Sequence, residues 1–428
     1  MGRLRVTGAG ALRGTVRVPG DKSISHRALI LASLADGRST ITGLSTGEDV
    51  THTRRALTRF GVTFEEQIPG QWQVTGGLRH EPDDVLDCGN AGTGIRLLAG
   101  VCAGVDGISV LTGDQFLRRR PMDRVAVPLR EMGAGVDGRE AGRFAPLVIR
   151  GGGLRGIAHD SPVASAQVKS SLLLAGLSAA GPTTVVEPHP TRRHTEEMLE
   201  AFGGKVAVDG ASVTVHPGTL TATDVTVPGD PSQAAFWVVA GVLATDGEIE
   251  VPGLYLGYGR ADFVGVLQRM GAEVDVDEAT GTVRARASRL RSVEIVASDI
   301  PGAVDEIPVL AVAAAAAEGT TVISGAAELR VKESDRIAST VKMLRAFGVE
   351  AEERPDGMVV HGRADFTAGR VDSHGDHRIA MAAAVAAVTR AQGDTVIDGW
   401  ESVATSYPGF ARDLESVAGA GVCAPADD

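Results

Sequence analysis

The strongest constraint on what this chain can fold into is a unit repeated six times. A run of apolar residues ends at a glycine and gives way to a short β-like stretch in ALTRFGVTF, LREMGAGV, MLEAFGGKVAV, VLQRMGAEVDV, MLRAFGVEAE and LESVAGAGV. The glycines are Gly61, Gly133, Gly203, Gly271, Gly348 and Gly419, at intervals of 72, 70, 68, 77 and 71 residues. A helix that stops on glycine uses the left-handed conformation which only glycine adopts cheaply. A strand and a polar loop precede each helix, as in ISVLTGDQF and TVISGAAELRVKESD. The unit therefore reads strand, loop, amphipathic helix, glycine stop, strand. Its period exceeds that of solenoid repeats, so each copy is a small α/β subdomain.

A second echo divides the six copies into two sets of three. Val18-Pro19-Gly20-Asp21-Lys22-Ser23 recurs 209 residues later as Val227-Pro228-Gly229-Asp230-Pro231-Ser232. Pro-Gly at each copy marks a turn. Two domains are expected, 20–228 and 1–19 plus 229–428, joined by two hinge crossings. The 428 residues and 43% hydrophobic content suffice to bury both cores.

A formal charge of −12 argues against a nucleic-acid or anionic-membrane surface, and 4% aromatic residues are too few for base-stacking platforms. No apolar run reaches a membrane span, no signal-like N-terminus is present, and the three scattered cysteines indicate neither disulfides nor zinc. A cytoplasmic monomer is the expectation. Anionic ligands would have to be held by local clusters of cations in a cleft. Only five of the 42 basic residues are lysines, and Lys22, Lys169 and Lys332 lie inside short polar motifs. A lysine offers a compact ammonium with a tunable pKa, which a guanidinium does not.

Each of these motifs opens an apolar stretch. GDKSISHR (20–27) brings Lys22, Ser23 and Arg27 to a helix start, where anions are favoured, with Ser25 the expected cap. LDCGNAGTGIR (86–96) is a glycine-rich turn before a helix, without the GK[ST] of a Walker loop. GDQFLRRRPM (113–122) clusters three arginines, suited to phosphate or carboxylate. SAQVKS (165–170) and TRRHT (191–195) each read singly as N-cap chemistry. In the second half, Asp305-Glu306, the loop LRVKESDR (329–336) and GDHR (375–378) put carboxylates beside cations, the pairing that acid–base chemistry needs. Asp305 and Glu333 are the acid–base candidates. Glu306 and Asp335 read as partners of helix dipoles.

Taken together and in order, these motifs resemble the 5-enolpyruvylshikimate-3-phosphate synthase family along nearly the whole chain. The resemblance implies an α/β fold of two similar domains, each of three βαβαββ-type units forming an inverted α/β barrel. It implies transfer of the enolpyruvyl group of phosphoenolpyruvate to the 5-hydroxyl of shikimate 3-phosphate in aromatic amino-acid biosynthesis, without metal or organic cofactor. Carried over by motif, Lys22 touches both substrates. Ser23, Arg27, Ser165, Ala166, Gln167 and Arg192 hold shikimate 3-phosphate, with Asp305 and Lys332. Gly92, Arg120, Gln167, Arg336 and Arg378 surround phosphoenolpyruvate. Asp305 takes the hydroxyl proton and Glu333 supplies a proton to the methylene carbon. Most of the shikimate 3-phosphate site falls in 20–228; the acid–base residues and much of the phosphoenolpyruvate site fall in the other domain.

The resemblance also implies sensitivity to glyphosate, because Gly92 leaves space beside the enolpyruvate site. Two positions depart from the family pattern. Thr405 stands where some relatives carry lysine, and Leu97 where many carry proline. Two other readings compete. One is the related transferase acting on UDP-N-acetylglucosamine, but its reactive cysteine is replaced here by Gln115. The other is a non-catalytic anion-binding homologue, against which Lys22, Asp305 and Glu333 together argue.

Overall fold

A computed structural model describes residues 2–78 and 80–426. The chain divides into two compact units. One is Gly20–Val227; the other comprises everything up to Pro19 and everything from Pro228 onward. Pro228 thus groups with the second stretch, one residue away from the expected 20–228 limit.

Within Gly20–Val227 three repeats follow one another. Their inner helices are Lys22–Leu34, Gly92–Gly104 and Ala166–Gly176; their outer helices are Glu48–Thr58, Asp123–Glu131 and His194–Ala201. The other unit has inner helices Pro231–Leu243, Ile307–Ala316 and His377–Arg390, and outer helices Asp262–Arg269, Arg336–Ala346 and Phe410–Ala418. Every residue of Pro231–Leu243 is buried, and all of His377–Arg390 except its last. An apolar helix buried all round is a core element, whereas the outer helices carry the amphipathic stripe of a surface layer.

Each repeat contributes a four-stranded sheet of one pattern, a short strand parallel to the next and then two antiparallel pairings. Leu86–Asp87, Gly107–Thr112, Phe144–Gly151 and Gly135–Gly138 are one example. In the first repeat of Gly20–Val227 the short strand, Val225–Thr226, comes from the far end of the unit and pairs with Arg38–Thr42. In the other unit Gly14–Thr15 pairs with Glu248–Val251, and the N-terminal strand Arg3–Thr7 completes the last sheet between Asp394–Asp398 and Cys423–Pro425.

All six glycine stops have positive φ, from 73° to 109°. The echoed motif has one structural role in both copies. Asp21 accepts the N–H of Ile24 at 2.8 Å to cap Lys22–Leu34, and Asp230 accepts that of Ser232 at 2.8 Å to cap Pro231–Leu243. Ser25 is therefore not the cap; its hydroxyl accepts the Ser45 N–H. The second copy carries proline at the first helical position, where no N–H is needed, and so lacks the ammonium of Lys22. In the core of this unit Trp237 stacks on Phe410 at 4.8 Å and Tyr407 meets Phe410 edge-on at 5.4 Å. Burying a side chain of this size contributes about 2 kcal/mol. Among the described residues no helix is long and apolar enough to cross a membrane.

Candidate functional site

Within each unit the motif residues gather at or just before helix N-termini, of inner helices for Lys22, Gly92, Ser165 and Arg378 and of outer helices for Arg120, Arg192 and Arg336. In Gly20–Val227 the three inner helices are tied together there by side chains. Arg96, one turn into Gly92–Gly104, donates to the Gly92 carbonyl at 3.1 Å, to Gln167 Oε1 at 2.9 Å and to the Pro121 carbonyl at 3.0 Å. Gln167 Nε2 returns a bond to Thr93 Oγ1 at 2.9 Å. A single guanidinium thus joins the glycine-rich turn, the arginine-proline loop and the SAQ motif. Sequence reasoning assigned Arg96 no role.

Of the three clustered arginines only Arg120 is buried, and it donates to Asn90 Oδ1; Arg118 and Arg119 are exposed. Asn90 in turn donates to Asp114 Oδ2 at 2.8 Å, and the other oxygen of Asp114 accepts the N–H groups of Phe116 and Leu117. The loop is thereby folded so that one arginine points inward. Gly92 lies against it, since a Cβ there would come within 2.6 Å of Arg120 Nη1.

Lys22 pairs with Asp49 at 3.0 Å; the lysine side chain is 16% exposed and the aspartate 8%. Arg27 is buried, and donates to Thr195 Oγ1 at 2.6 Å, Ser170 Oγ at 2.7 Å and the Ser23 carbonyl at 2.9 Å. Between them sits His26, fully buried, with Nδ1 at 2.8 Å from Thr53 Oγ1. Burial first, and then the charges of Lys22 and Arg27, hold its pKa well below the usual histidine value, so the ring is neutral near pH 7. Ser165 caps Ala166–Gly176, accepting the Val168 N–H at 3.4 Å. Ser165, Ala166, Gln167 and Arg192 are all half-buried. Thr191 is not a helix cap: its hydroxyl lies 2.8 Å from Glu187 Oε2, and Arg193 occupies the cap position.

The cluster of the second unit centres on Arg336, the first residue of an outer helix and 1% exposed. It reaches Asp376 Oδ2 at 2.8 Å through Nε, Asp305 Oδ1 at 3.2 Å through Nη1 and Glu333 Oε2 through Nη2. Burial alone would lower its pKa, but Asp376, Glu333 and Asp305 outweigh that and raise it, so the charge is permanent. Arg378 is buried and donates to the Asp305 carbonyl at 2.9 Å, so that two arginines grip one aspartate from opposite chemical ends. Asp376 caps His377–Arg390 through the Arg378 N–H as well as holding Arg336; its second task was not read from the sequence. Asp335 caps Arg336–Ala346, accepting the Ala338 N–H at 3.1 Å. Glu306 is buried, makes no cap bond and lies 4.0 Å from Arg378.

Lys332 stands 3.9 Å from Glu328. Burial lowers its pKa, against the raising pull of Asp305 and Glu328. Of the two departures from the family pattern, Leu97 is wholly buried in the core. The Thr405 hydroxyl donates to the Ser402 carbonyl at 2.7 Å and lies 3.3 Å from His377 Nδ1. Gln115 is exposed. Cys88 and Cys102 are buried, and burial pushes the Cys102 thiol up to about 12 and that of Cys88 well above the ordinary range, so neither is a nucleophile.

Six α/β repeats in two units, with permanent cations and carboxylates gathered at helix N-termini, define a class of protein equipped to hold small, multiply charged anions and to move protons beside them. The EPSP synthase (3-phosphoshikimate 1-carboxyvinyltransferase) family model matches residues 6–414. The chain is 46% identical to the 3-phosphoshikimate 1-carboxyvinyltransferase of Geobacillus thermodenitrificans, covering 96% of this chain and 98% of the relative. It is 47% identical to that of Syntrophotalea carbinolica, over 95% and 97%. The solved EPSP synthase from Acinetobacter baumannii superposes with a TM-score of 0.86 at 37% identity, over 99% of this chain and all of that one. The chain belongs to the EPSP synthase family. The enolpyruvyl transferase NikO from Streptomyces tendae, 20% identical with a TM-score of 0.79, shares the fold.

Proposed function

We propose that the chain transfers the enolpyruvyl group of phosphoenolpyruvate to the 5-hydroxyl of shikimate 3-phosphate, as a cytoplasmic, monomeric enzyme of aromatic amino-acid biosynthesis. The observation that carries this reading is membership of the family along nearly the whole chain, with the motif side chains drawn into two ordered clusters. In this reading Lys22, Ser23, Arg27, Ser165, Ala166, Gln167 and Arg192 bind shikimate 3-phosphate, with Asp305 and Lys332. Lys22, Gly92, Arg120, Gln167, Arg336 and Arg378 bind phosphoenolpyruvate.

The chemistry asks for one proton to leave an oxygen and one to reach a carbon. The 5-hydroxyl oxygen forms a bond to C2 of phosphoenolpyruvate while C3 gains a proton and becomes a methyl group. The resulting tetrahedral carbon then loses phosphate, and the methyl group returns a proton to restore the double bond. Asp305 is the proposed acceptor of the hydroxyl proton and Glu333 the proposed donor to C3. Their common contact with Arg336 supports the assignment, because a shared guanidinium fixes both carboxylates at defined positions before any substrate arrives. The buried cations are already oriented by protein acceptors, so little reorganisation remains when anionic charge develops.

The test is phosphate release from phosphoenolpyruvate with shikimate 3-phosphate as acceptor, run beside UDP-N-acetylglucosamine and a Lys22→Ala variant. Release with shikimate 3-phosphate alone, lost in the variant, is expected. Release only with the nucleotide sugar would transfer the chain to the other acceptor class, and release with neither would leave a binding protein.

A further inference from the structure

Among the buried ionic groups that the proposed mechanism leaves unused, one joins three charged side chains. Lys169, on the inner helix Ala166–Gly176, is 2% exposed and its ammonium lies 2.9 Å from Glu187 Oε2 and 2.7 Å from Glu196 Oε1; those side chains are 1% and 3% exposed. Taking three charges out of water is costly, and an apolar side chain commonly fills such a space without loss of stability. Stability is therefore a weak explanation for the group, and its geometry offers a better one.

The carboxylate of Glu187 also bonds the segment around the proposed acceptor site. One of its oxygens accepts the backbone N–H of Ser165 at 3.0 Å, and both lie within 2.9 Å of the Thr191 hydroxyl. Ser165 and Arg192, the neighbour of Thr191, are proposed substrate contacts. Glu196 sits in the first turn of His194–Ala201, beside Thr195, whose Oγ1 accepts from Arg27 Nε and lies 2.6 Å from Ser170 Oγ. Ser170 is the residue after Lys169 and is itself a second acceptor for Arg27. One ammonium thus locks the start of the inner helix to both ends of the 187–196 segment, and the bonds around it place Ser165, Arg192 and Arg27. Lysine suits the position because a compact ammonium with three rotatable donors meets two carboxylates from separate elements, whereas a planar guanidinium imposes its own fork.

We infer that Lys169, with Glu187 and Glu196, is a positioning residue that presets the shikimate 3-phosphate contacts Ser165, Arg192 and Arg27. The inference rests on the acceptor assignment above. It calls for an effect on one substrate only, which a merely structural role would not produce.

The experiment is calorimetric titration of shikimate 3-phosphate into the full chain, beside steady-state kinetics, for the wild type, Lys169→Met, Thr191→Val and the exposed control Lys205→Met. Misplacing binding groups by a fraction of an ångström predicts that Lys169→Met binds shikimate 3-phosphate about ten-fold more weakly, with KM for phosphoenolpyruvate held within about two-fold. Thr191→Val strips one bond from Glu187 without stranding a buried charge, and keeps the test open if Lys169→Met does not fold; about a three-fold loss on the same substrate is expected. Lys205→Met should match the wild type. Unchanged affinity for shikimate 3-phosphate in the folded variants, or an equal loss for both substrates, overturns the positioning role. A wild type that does not bind shikimate 3-phosphate overturns the acceptor assignment instead, so the two failures are distinct.

Discussion

Replacing Gly92 with alanine isolates the steric argument of the phosphoenolpyruvate site. Gly92 opens the helix Gly92–Gly104 and is not among the positive-φ glycines, so alanine is conformationally allowed there. Against this, the new Cβ would lie 2.6 Å from Arg120 Nη1 and 3.1 Å from Arg96 Nη1, where ordinary contact begins at 3.4 Å. The Arg120 guanidinium must therefore retreat by about 0.8 Å, from 2.6 to 3.4 Å, which bends its bond to Asn90. The end of a long side chain can move that far without unfolding anything, so the melting temperature should stay within about 2 °C of the wild type. Ligand binding should not be spared. A displacement approaching 1 Å at a group that orients a reactant costs on the order of ten- to a hundred-fold. Gly92→Ala is expected to raise KM for phosphoenolpyruvate by about ten-fold and to raise the inhibition constant of glyphosate at least as much. Steady-state kinetics with each ligand varied in turn reads both. Unchanged KM and unchanged inhibition would refute the placement of Gly92 and Arg120 beside the enolpyruvate group.

Asp305→Asn should lower turnover by about 10²–10⁴-fold while the dissociation constant of shikimate 3-phosphate moves only a few-fold; calorimetry beside a phosphate-release assay separates the two, and retained turnover excludes Asp305 as the base. Arg336→Met leaves Asp305, Glu333 and Asp376 facing one another, and stripping the cation from a buried ionic group costs about 3–5 kcal/mol, or about 10 °C in melting temperature; a drop of only a degree would contradict the hub. For Lys332 the sign is opposite, because burial lowers its folded-state pKa beneath the ordinary lysine value of 10.5. Keeping it protonated therefore costs stability at pH below the folded value, and the cost is relieved as pH rises towards the unfolded one. Lys332→Met should raise the melting temperature at pH 7 while impairing turnover, the gain fading as pH approaches 10.5; a lower melting temperature at pH 7 would count against it.

The repeats were legible because a glycine stop is a local event. Six positive-φ glycines need no tertiary information to be recognised, and the Val-Pro-Gly-Asp echo exposes the two threefold sets for the same reason. What remained hidden depended on pairing across loops. Asp49, Glu187 and Glu196 look like ordinary charged residues in the sequence, and become partners of Lys22 and Lys169 only once the outer-helix segments fold back onto the inner-helix N-termini. Arg96 was masked differently. It stands within a glycine-rich motif whose backbone drew the attention, although its side chain is what fastens that turn to two others. The run of three arginines overstated the cationic site, because Asp114 and Asn90 turn Arg120 inward and leave its neighbours exposed.

The scarcity of lysine was an informative signal, and the structure gives it a graded physical content. Lys205 and Lys342, outside any motif, are exposed. The three motif lysines are withdrawn from solvent to different degrees and face different numbers of carboxylates. Lys22 is partly buried beside one, Lys332 carries a pKa lowered by burial, and Lys169 is sealed between two. An arginine could replace none of them on equal terms, because its charge cannot be tuned and its fork must be matched by acceptors lying in one plane. In the roles proposed above, a compact ammonium is shared between protein and ligand at Lys22, eased towards neutrality at Lys332, and used as a knot between two elements at Lys169. The composition could indicate that these lysines had a purpose; it could not distinguish the three purposes, since what separates them is the number and depth of the carboxylates that folding brings to each.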